Sequence, residues 1–484
     1  MSFSTLDSIA RQYALGQPEH ARDALRTLLN HSGQPDGKAL KVARLAQQFG
    51  EVELAMLAAQ QSVECQTKDP YQHLTAASML AEMGQIHTAR KWIEQVQSTL
   101  PYHFALQHFI ATTSMQLGEL SRARAGFKTL LAHWPQSGQS WLSYSALIDF
   151  RANPNELKFM QQAASAVNQS AEVSRAAYHY ALGKAYFECG HTKQAWTHYQ
   201  AGASLMQASQ PYDAKRQQQV VEAVIKSYHI DSFTQLSAST DDLPAPIFVM
   251  GWPRSGTTLV EHMLCAHNDI IGGGEIDLMR KATVAVQGMG CHYALRYQAT
   301  FKQAELAWNK LASRYRYLAA QRFGKPGRVV DKTLNNSRYV GLLARMFPTA
   351  PIIWLQRDPA DAALSCYRTF FSANQPWSWD LRNIARHFRL EEQLLRHWQT
   401  VLPERILPVP YEALVQAPEV WQRKISQFCQ LADNTAKAVN QQPRAVTTAS
   451  TVQVRQAIHT HSIALAEPMA DYLQDFKQEY ADRK

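Results

Sequence analysis

Four glycines in the first part of this 484-residue chain recur at a constant interval of 34 residues. An alanine follows each of them five residues later. A glycine permits the left-handed backbone that ends one helix and turns the chain into the next, and a small alanine lets the second helix pack closely on the first. The interval therefore predicts a stack of helix pairs, with its markers at Gly16 and Ala21, Gly50 and Ala55, Gly84 and Ala89, and Gly118 and Ala123.

A further pair, Gly190 with Ala195, follows an irregular insertion around residues 151–155. A period of 34 residues is typical of tetratricopeptide repeats. Residues 1–215 are therefore predicted to form an all-α solenoid that resembles this repeat class. Some such arrays offer a concave surface to a peptide, a partner protein or a second domain. Others act as scaffolds or dimerisation arms. The sequence leaves these roles, including a homodimer, open.

The composition is that of a soluble globular protein, with 46% hydrophobic and 18% charged residues. The formal net charge of +9 fits an anionic ligand, but the basic residues are spread along the chain, which does not favour nucleic-acid binding. The six cysteines show neither CxxC nor metal-ligand spacing, so we expect reduced thiols in a cytoplasmic protein. The N-terminus shows no signal-peptide pattern. No apolar run approaches the roughly 20 residues that a membrane helix needs, so no membrane span is expected.

The pattern changes after residues 216–245, which are rich in Ser, Thr, Asp and Pro near their end and are predicted as a linker. In residues 246–484, short apolar runs alternate with helical patterns. This alternation predicts an α/β domain with a mostly parallel sheet flanked by helices. Ligands of such sheets lie beyond the carboxyl ends of the strands. The predicted strands are Ile247–Met250, Arg328–Asp331, Ile352–Leu355 and Ile406–Pro410.

A glycine-bounded loop, Gly251–Gly256, follows the first of these strands and has the glycine spacing of a Walker A loop. The N–H groups that open the next helix favour a bound anion. However, Thr257 stands where a nucleotide triphosphatase carries its lysine, and the strand Ile352–Leu355 is not followed by an acidic residue. Metal-assisted phosphoryl transfer, as in a P-loop kinase or phosphohydrolase, is therefore the alternative prediction rather than the first.

The motif Pro253–Thr258 resembles the 5′-phosphosulfate loop of sulfotransferases that use 3′-phosphoadenosine 5′-phosphosulfate (PAPS). Further blocks follow in the same order as in protein-tyrosine sulfotransferases. The whole chain resembles a sulfotransferase that contains tetratricopeptide repeats. The blocks are Gly274-Glu275, Asp331-Lys332-Thr333, Arg357-Asp358-Pro359 with Ser365, Tyr411-Glu412-x-Leu414, and Ser450-x2-Gln453-Val454.

The resemblance implies a role for each matching residue. The loop residues Arg254, Ser255, Gly256, Thr257 and Thr258 would hold the 5′-phosphosulfate. Lys332 would stabilise the departing phosphate of the product, 3′-phosphoadenosine 5′-phosphate (PAP). No metal is implied. The remaining donor contacts would come from Arg357 and Ser365 at the 3′-phosphate, assisted by Arg368, and from Tyr411 and Ser450 at the nucleotide.

Glu275 is the candidate general base for an acceptor hydroxyl or phenol. The resemblance suggests a tyrosyl peptide, which a solenoid could present, but a carbohydrate or a small phenol remains open. A chain whose repeats recruit a partner and whose α/β domain is inactive is the alternative of a different class. Trp252, bulky within a tight loop, has no role that the sequence reveals.

Overall fold

The computed structural model describes residues 3–31, 38–64, 69–98, 100, 102–324, 327–371, 375–432, 460 and 462–482. The described chain before the first strand is helical. Its helices are α1 Phe3–Ala14, α2 Pro18–His31, α3 Lys38–Phe49, α4 Val52–Glu64, α5 Pro70–Glu82, α6 Ile86–Gln97, α7 Phe104–Leu117, α8 Leu120–His133, α9 Gly138–Ala146, α10 Asn155–Gln162, α11 Ala164–Asn168, α12 Glu172–Glu188, α13 Thr192–Ser209, α14 Ala214–Ser227 and α15 Ile230–Thr234.

The periodic glycines lie in the turns between paired helices, with φ angles of 80° to 89° from Gly16 through Gly190. A left-handed backbone strains a residue that has a Cβ atom. The need for such a turn in each helix pair therefore explains why glycine recurs at this interval. The periodic alanines, from Ala21 to Ala195, are completely buried. The predicted helical region is confirmed, while its tetratricopeptide class stays a prediction.

The segment predicted as a linker contains α14 and α15. Val221, Val224 and Tyr228 of this segment are buried in the same hydrophobic cluster as the first face of the sheet. The linker prediction rested on the Ser, Thr, Asp and Pro residues near the end of the segment, whereas this apolar stripe lies before them. The chain from 216 to 234 thus packs on the α/β domain.

The C-terminal region contains a five-stranded parallel sheet in the order β2-β3-β1-β4-β5, as the fold prediction required. The strand β2 was not predicted, because its three consecutive glycines hide the apolar pattern. The strands are β1 Ile247–Gly251, β2 Ile270–Gly274, β3 Arg328–Asp331, β4 Ile352–Gln356 and β5 Ile406–Pro410.

Helices cover both faces of this sheet. Alternate residues of β1 enter different clusters: Phe248 packs with Trp308 and Trp398 on one face, and Val249 packs with Val260 on the other. The helices are α16 Thr257–Leu264, α17 Leu278–Ala282, α18 Cys291–Gln298, α19 Ala304–Phe323, α20 Val340–Met346, α21 Pro359–Tyr367, α22 Leu381–Val401, α23 Tyr411–Gln416, α24 Pro418–Phe428 and α25 Gln474–Ala481. Across the described ranges, no helix is both long and apolar enough to cross a membrane.

Helix α19 runs along the turn edge of the first three helix pairs. Lys310 lies 3.9 Å from Glu19 of the first pair, and Arg322 donates to the Glu82 carbonyl of the third at 3.0 Å. These two α19 residues are separated by about 18 Å along the helix, at 1.5 Å per residue. One helix of the α/β domain thereby contacts three consecutive pairs.

The far end of the helical region contacts the α/β domain at a second place. Trp196 of α13 stacks on Tyr367 of α21 with ring centroids 5.1 Å apart. Tyr180 of α12 meets Phe370 and Trp379 edge-on, at 5.4 and 5.8 Å. The helical region is therefore held against the α/β domain through both its first and its last pairs.

The ion pair between Glu51 and Arg314 lies at the centre of the α19 contact. The two side chains are 2.7 Å apart and 1% and 6% exposed, and the Tyr317 hydroxyl also donates to Glu51 at 2.8 Å. Glu51→Gln leaves the Arg314 charge buried without its counter-charge, so we expect a loss of about 3 kcal/mol in the free energy of unfolding, measured by urea denaturation. Glu53→Gln, the same change at an exposed position, is the control, and an equal loss there would contradict the interpretation.

Candidate active site

The loop between β1 and α16 is curled by three left-handed residues. Gly251, Arg254 and Gly256 have φ angles of 137°, 67° and 101°. The first N–H groups of a helix have no intrahelical acceptor, so those that open α16 at Thr257 are available to an anion. The Ser255 hydroxyl donates to the Trp252 carbonyl at 2.7 Å and is completely buried. Ser255 thus stabilises the loop from within, whereas the sequence assigned its hydroxyl to the ligand.

Trp252 anchors this loop to α22. Its ring stacks on Phe388 with centroids 4.2 Å apart and planes 6° from parallel. Its indole N–H donates to the Phe388 carbonyl at 3.3 Å. The side chain points away from the loop's open side and is 6% exposed. The bulk that the sequence left unexplained therefore belongs to the hydrophobic support of the loop.

The structure brings together four predicted donor-site residues. Arg254 Nε donates to Ser365 Oγ at 3.2 Å. Arg357 Nη1 donates to the Arg254 carbonyl at 2.7 Å, and its other terminal nitrogen donates to the Ser462 carbonyl. The Arg357 guanidinium also lies over the Tyr411 ring, 4.6 Å from its centroid. The ends of β1, β4 and β5 thus converge on one positively charged site.

The charge of this cluster suits an anion. Burial, together with the neighbouring cations Arg368 and Arg357, lowers the pKa of the Arg254 guanidinium to about 10, so Arg254 still carries its charge at neutral pH. Arg357 Nε is buried and has no hydrogen-bond partner among the described residues. A buried N–H of a cation without an acceptor is costly unless a ligand supplies one. The cluster is therefore chemically suited to phosphate oxygens.

Arg368 extends the positive cluster towards the helical region. It ends α21, one turn after Ser365, and its guanidinium lies 4.7 Å from the centroid of Phe187 on α12. Burial lowers its pKa, while Tyr199 opposes this shift. The predicted auxiliary cation is thus held by a ring of the N-terminal region.

Tyr411 packs against one side of the loop Gly251–Gly256, called the phosphate loop below. A Cβ atom placed on Gly256 would lie 2.5 Å from Cδ2 of Tyr411, closer than any real contact. Tyr411 is 8% exposed and begins α23, directly after β5. Its ring therefore packs on the loop beneath the Arg357 guanidinium, at the place where the sequence put a nucleotide contact.

A second charged group lies at the ends of β2 and β3. Lys332 Nζ is 3.3 Å from Glu275 Oε1 and 4.0 Å from Glu261 Oε2. The lysine is 1% exposed, while the Glu275 side chain is 46% exposed. The Lys332 N–H also donates to the Gly274 carbonyl at 2.9 Å. Lys332 and Glu275, two of the three residues predicted for catalysis beside Arg254, are therefore in contact, and Glu275 faces solvent.

Asp331 has a structural part in this group. Its carboxylate accepts from the Tyr315 hydroxyl at 2.9 Å and from the Thr333 N–H at 3.0 Å. Burial raises its pKa, and the hydrogen bonds from Thr333 and Tyr315 oppose this shift. Thr333 in turn accepts from the Asp277 N–H at 2.9 Å. Asp331 thus holds the loop that presents Lys332.

One predicted position cannot be placed in the site, and one residue was missed. Ser450 lies outside the described residues. Glu261 was missed, although a carboxylate within the apolar stripe of α16 is an unusual residue for a buried face and was a usable signal.

Comparison with known proteins defines the class of the C-terminal region. Residues 246–435 match the family model described as the sulfotransferase family. This region is therefore a sulfotransferase-family domain. A solved sulfotransferase domain from the curacin biosynthetic pathway is similar at 17% identity and a TM-score of 0.32, over 48% of this chain and 99% of that one.

Two relatives show what the chain is similar to. An uncharacterised protein of Aquifex aeolicus is 25% identical over 413 residues, which are 83% of this chain and 54% of the relative. A protein-tyrosine sulfotransferase of Drosophila melanogaster is 26% identical over 236 residues, which are 44% of this chain and 43% of the relative. The chain spans about half the length of these relatives.

Substitution of Gly256 tests the steric fit of the phosphate loop. Gly256→Ala introduces both backbone strain, which costs roughly 1–2 kcal/mol, and a clash with Tyr411. Gly190→Ala is the control, because Gly190 has a φ of 80° but nothing within 4 Å of the added Cβ. We expect Gly256→Ala to lower the thermal midpoint at least twice as much as Gly190→Ala. Equal shifts would show that the Tyr411 contact is unimportant.

Proposed function

We propose that this chain is a sulfotransferase that transfers the sulfuryl group of PAPS to a hydroxyl or phenol. The observation that carries the proposal is the convergence of Arg254, Arg357 and Ser365 beside the phosphate loop. The sulfotransferase-family match of residues 246–435 supports the reaction class. The contact between Lys332 and Glu275 supports a reacting centre at the neighbouring strand ends.

The donor is assigned to the positively charged site by its chemistry. The 5′-phosphosulfate would accept from the N–H groups at Gly256, Thr257 and Thr258. The 3′-phosphate would accept from Arg357, whose buried Nε has no partner in the described chain, and from Ser365. Arg254 belongs to the loop that would hold the first group and contacts Ser365 and Arg357 of the second. A site for the 3′-phosphate would distinguish PAPS from ordinary adenosine nucleotides, which lack that group.

Transfer then requires one proton acceptor and one stabilising cation. Glu275 takes the proton of the acceptor hydroxyl while the oxygen attacks sulfur in line. The new S–O bond forms as the bond between sulfur and the phosphate oxygen breaks, and PAP leaves with the electron pair. Lys332 stabilises the negative charge that grows on that oxygen. Positioned groups of this kind supply much of the acceleration for such transfers.

The acceptor is proposed at the level of its reacting group. The similarity to a protein-tyrosine sulfotransferase supports a tyrosyl side chain of a peptide or protein. The helical region, proposed as a tetratricopeptide array, would present such a chain, and the contacts of its first and last pairs with the α/β domain support this role. A small phenol or a carbohydrate would need no such array. A cytoplasmic location and a homodimer belong to the same proposal.

A kinase or phosphohydrolase remains the alternative enzyme, and donor preference distinguishes it. Thr257 lacks the ammonium group that holds a metal-bound triphosphate. PAP should therefore stabilise the protein, by about 2.7 kcal/mol at 100 times its dissociation constant, whereas ATP with magnesium should give little shift. Differential scanning fluorimetry measures both. Equal shifts, or a larger one with ATP, would overturn the PAPS assignment.

The inactive-module alternative is tested at Glu275. Glu275→Gln removes the proton acceptor, so transfer of label from 35S-labelled PAPS to phenol and tyrosyl-peptide acceptors should fall roughly 10²- to 10⁴-fold. PAP binding should remain within about twofold. Asp277→Asn is the control, since this carboxylate, two residues away, pairs with Arg280. No transfer by the wild type to any acceptor would favour an inactive module, and unchanged transfer by Glu275→Gln would refute the base.

A further inference from the structure

Glu261 is a buried carboxylate that the donor and acceptor assignments do not use. It lies on α16, one turn after Thr257, and is 8% exposed. Its flanking residues Val260, Met263 and Leu264 are buried apolar side chains of the sheet-facing cluster. A carboxylate at such a position is costly unless charge or hydrogen bonds compensate for lost water.

The end of β2 packs against the Glu261 carboxylate. Glu261 Oε1 accepts from the Gly274 N–H at 2.7 Å, and a Cβ on Gly272 would approach the same oxygen to 3.3 Å. The register of β2 against β3 shifts between Gly272 and Gly274. Glu261 therefore holds the strand end from which Glu275 projects, and the absence of a Cβ at Gly272 makes room for it.

Lys332 is the cation that Glu261 and Glu275 share. Its Nζ lies 4.0 Å from Glu261 and 3.3 Å from Glu275. Burial raises the pKa of Glu261, and Lys332 and the Gly274 N–H oppose this rise, while the charges of Glu275 and Asp331 add to it. One ammonium thus compensates two carboxylates of very different exposure.

We propose that Glu261 is the internal counter-charge of Lys332 and takes up a proton from solvent when the 5′-phosphate of the donor engages Lys332. The inference rests on the proposed function, because it requires an anion at that lysine. Glu261 would then be neutral in the complex, while Glu275 stays ionised as the base.

Exposure to solvent decides that Glu261, rather than Glu275, takes up the proton. When phosphate takes the lysine, both carboxylates lose part of their compensation and gain a nearby negative charge. Glu275 is 46% exposed, so water still solvates its charge. Glu261 is nearly enclosed and cannot be solvated in this way, so the proton goes there. Different environments thus assign different protonation states to two neighbouring carboxylates.

Proton uptake on binding has a definite sign. Because the complex holds one more proton than the free protein, PAP affinity falls as pH rises through the interval between the free and the bound pKa of Glu261. The fall approaches tenfold per pH unit within that interval and vanishes above and below it. Glu261→Gln removes this component, since its side chain does not titrate.

Isothermal titration calorimetry with PAP tests the proposal without an acceptor. Titrations in two buffers of different ionisation enthalpy, from about pH 5.5 to 8, give the number of protons taken up. We expect the wild type to take up as much as about one proton more than Glu261→Gln. Glu391→Gln, which removes a buried carboxylate paired with Arg338, is the control and should behave as the wild type.

The outcomes separate the inference from the function on which it rests. Failure of the wild type to bind PAP would overturn the donor assignment itself. Binding with equal proton uptake in the wild type and in Glu261→Gln would overturn only the role of Glu261. The amide oxygen of glutamine still accepts from the Gly274 N–H, which favours folding of the variant.

Infrared difference spectroscopy on the wild type provides a second test that needs no folded Glu261 variant. PAP addition should produce the carbonyl band of a protonated carboxylic acid, and Glu275→Gln should keep that band. Absence of the band from the wild-type complex, or its loss in Glu275→Gln, would contradict protonation at Glu261.

Discussion

The hydrogen bond from Arg357 to the Arg254 carbonyl connects the parts on which the site depends. It joins the residue after β4 to the loop after β1, so two central neighbouring strands present their ends as one surface. The same guanidinium covers Tyr411 at the start of α23. Because Arg357 is buried, these contacts replace water that its charge would otherwise require. The cation thus orders the loops and still has one buried N–H group for a ligand.

The helical region adds to this order from outside the sheet. α19 contacts three helix pairs through charged residues, including the enclosed pair of Glu51 and Arg314. At the other end, aromatic packing around Trp196 and Tyr180 is continuous with the cluster that contains Trp252. Phe187 of α12 also supports Arg368, a neighbour of the donor cations. Packing of the last helices therefore reaches the support of the phosphate loop.

Local sequence patterns predicted the repeated helix turns and the loops that follow the strands. The glycine period located the helix turns, and strand ends located Arg254, Lys332 and Arg357. Contacts between distant segments were not readable: the stacking of Trp252 on Phe388 spans 136 positions. The strand β2 was hidden because its glycines serve to enclose Glu261 rather than to fill a core. Such roles depend on tertiary neighbours, which a local pattern does not contain.

The threonine at position 257 acquires a physical meaning in this arrangement. A lysine there would place its charge on α16 itself, next to the buried carboxylate of Glu261. Instead the ammonium comes from Lys332, directly after β3, where it lies within 4.0 Å of both Glu261 and Glu275. Lys332 follows the strand next to β1 and lies beside the solvent-facing carboxylate of Glu275. In the proposed reaction, a single charge would stabilise the departing phosphate and lie beside the carboxylate that takes the proton.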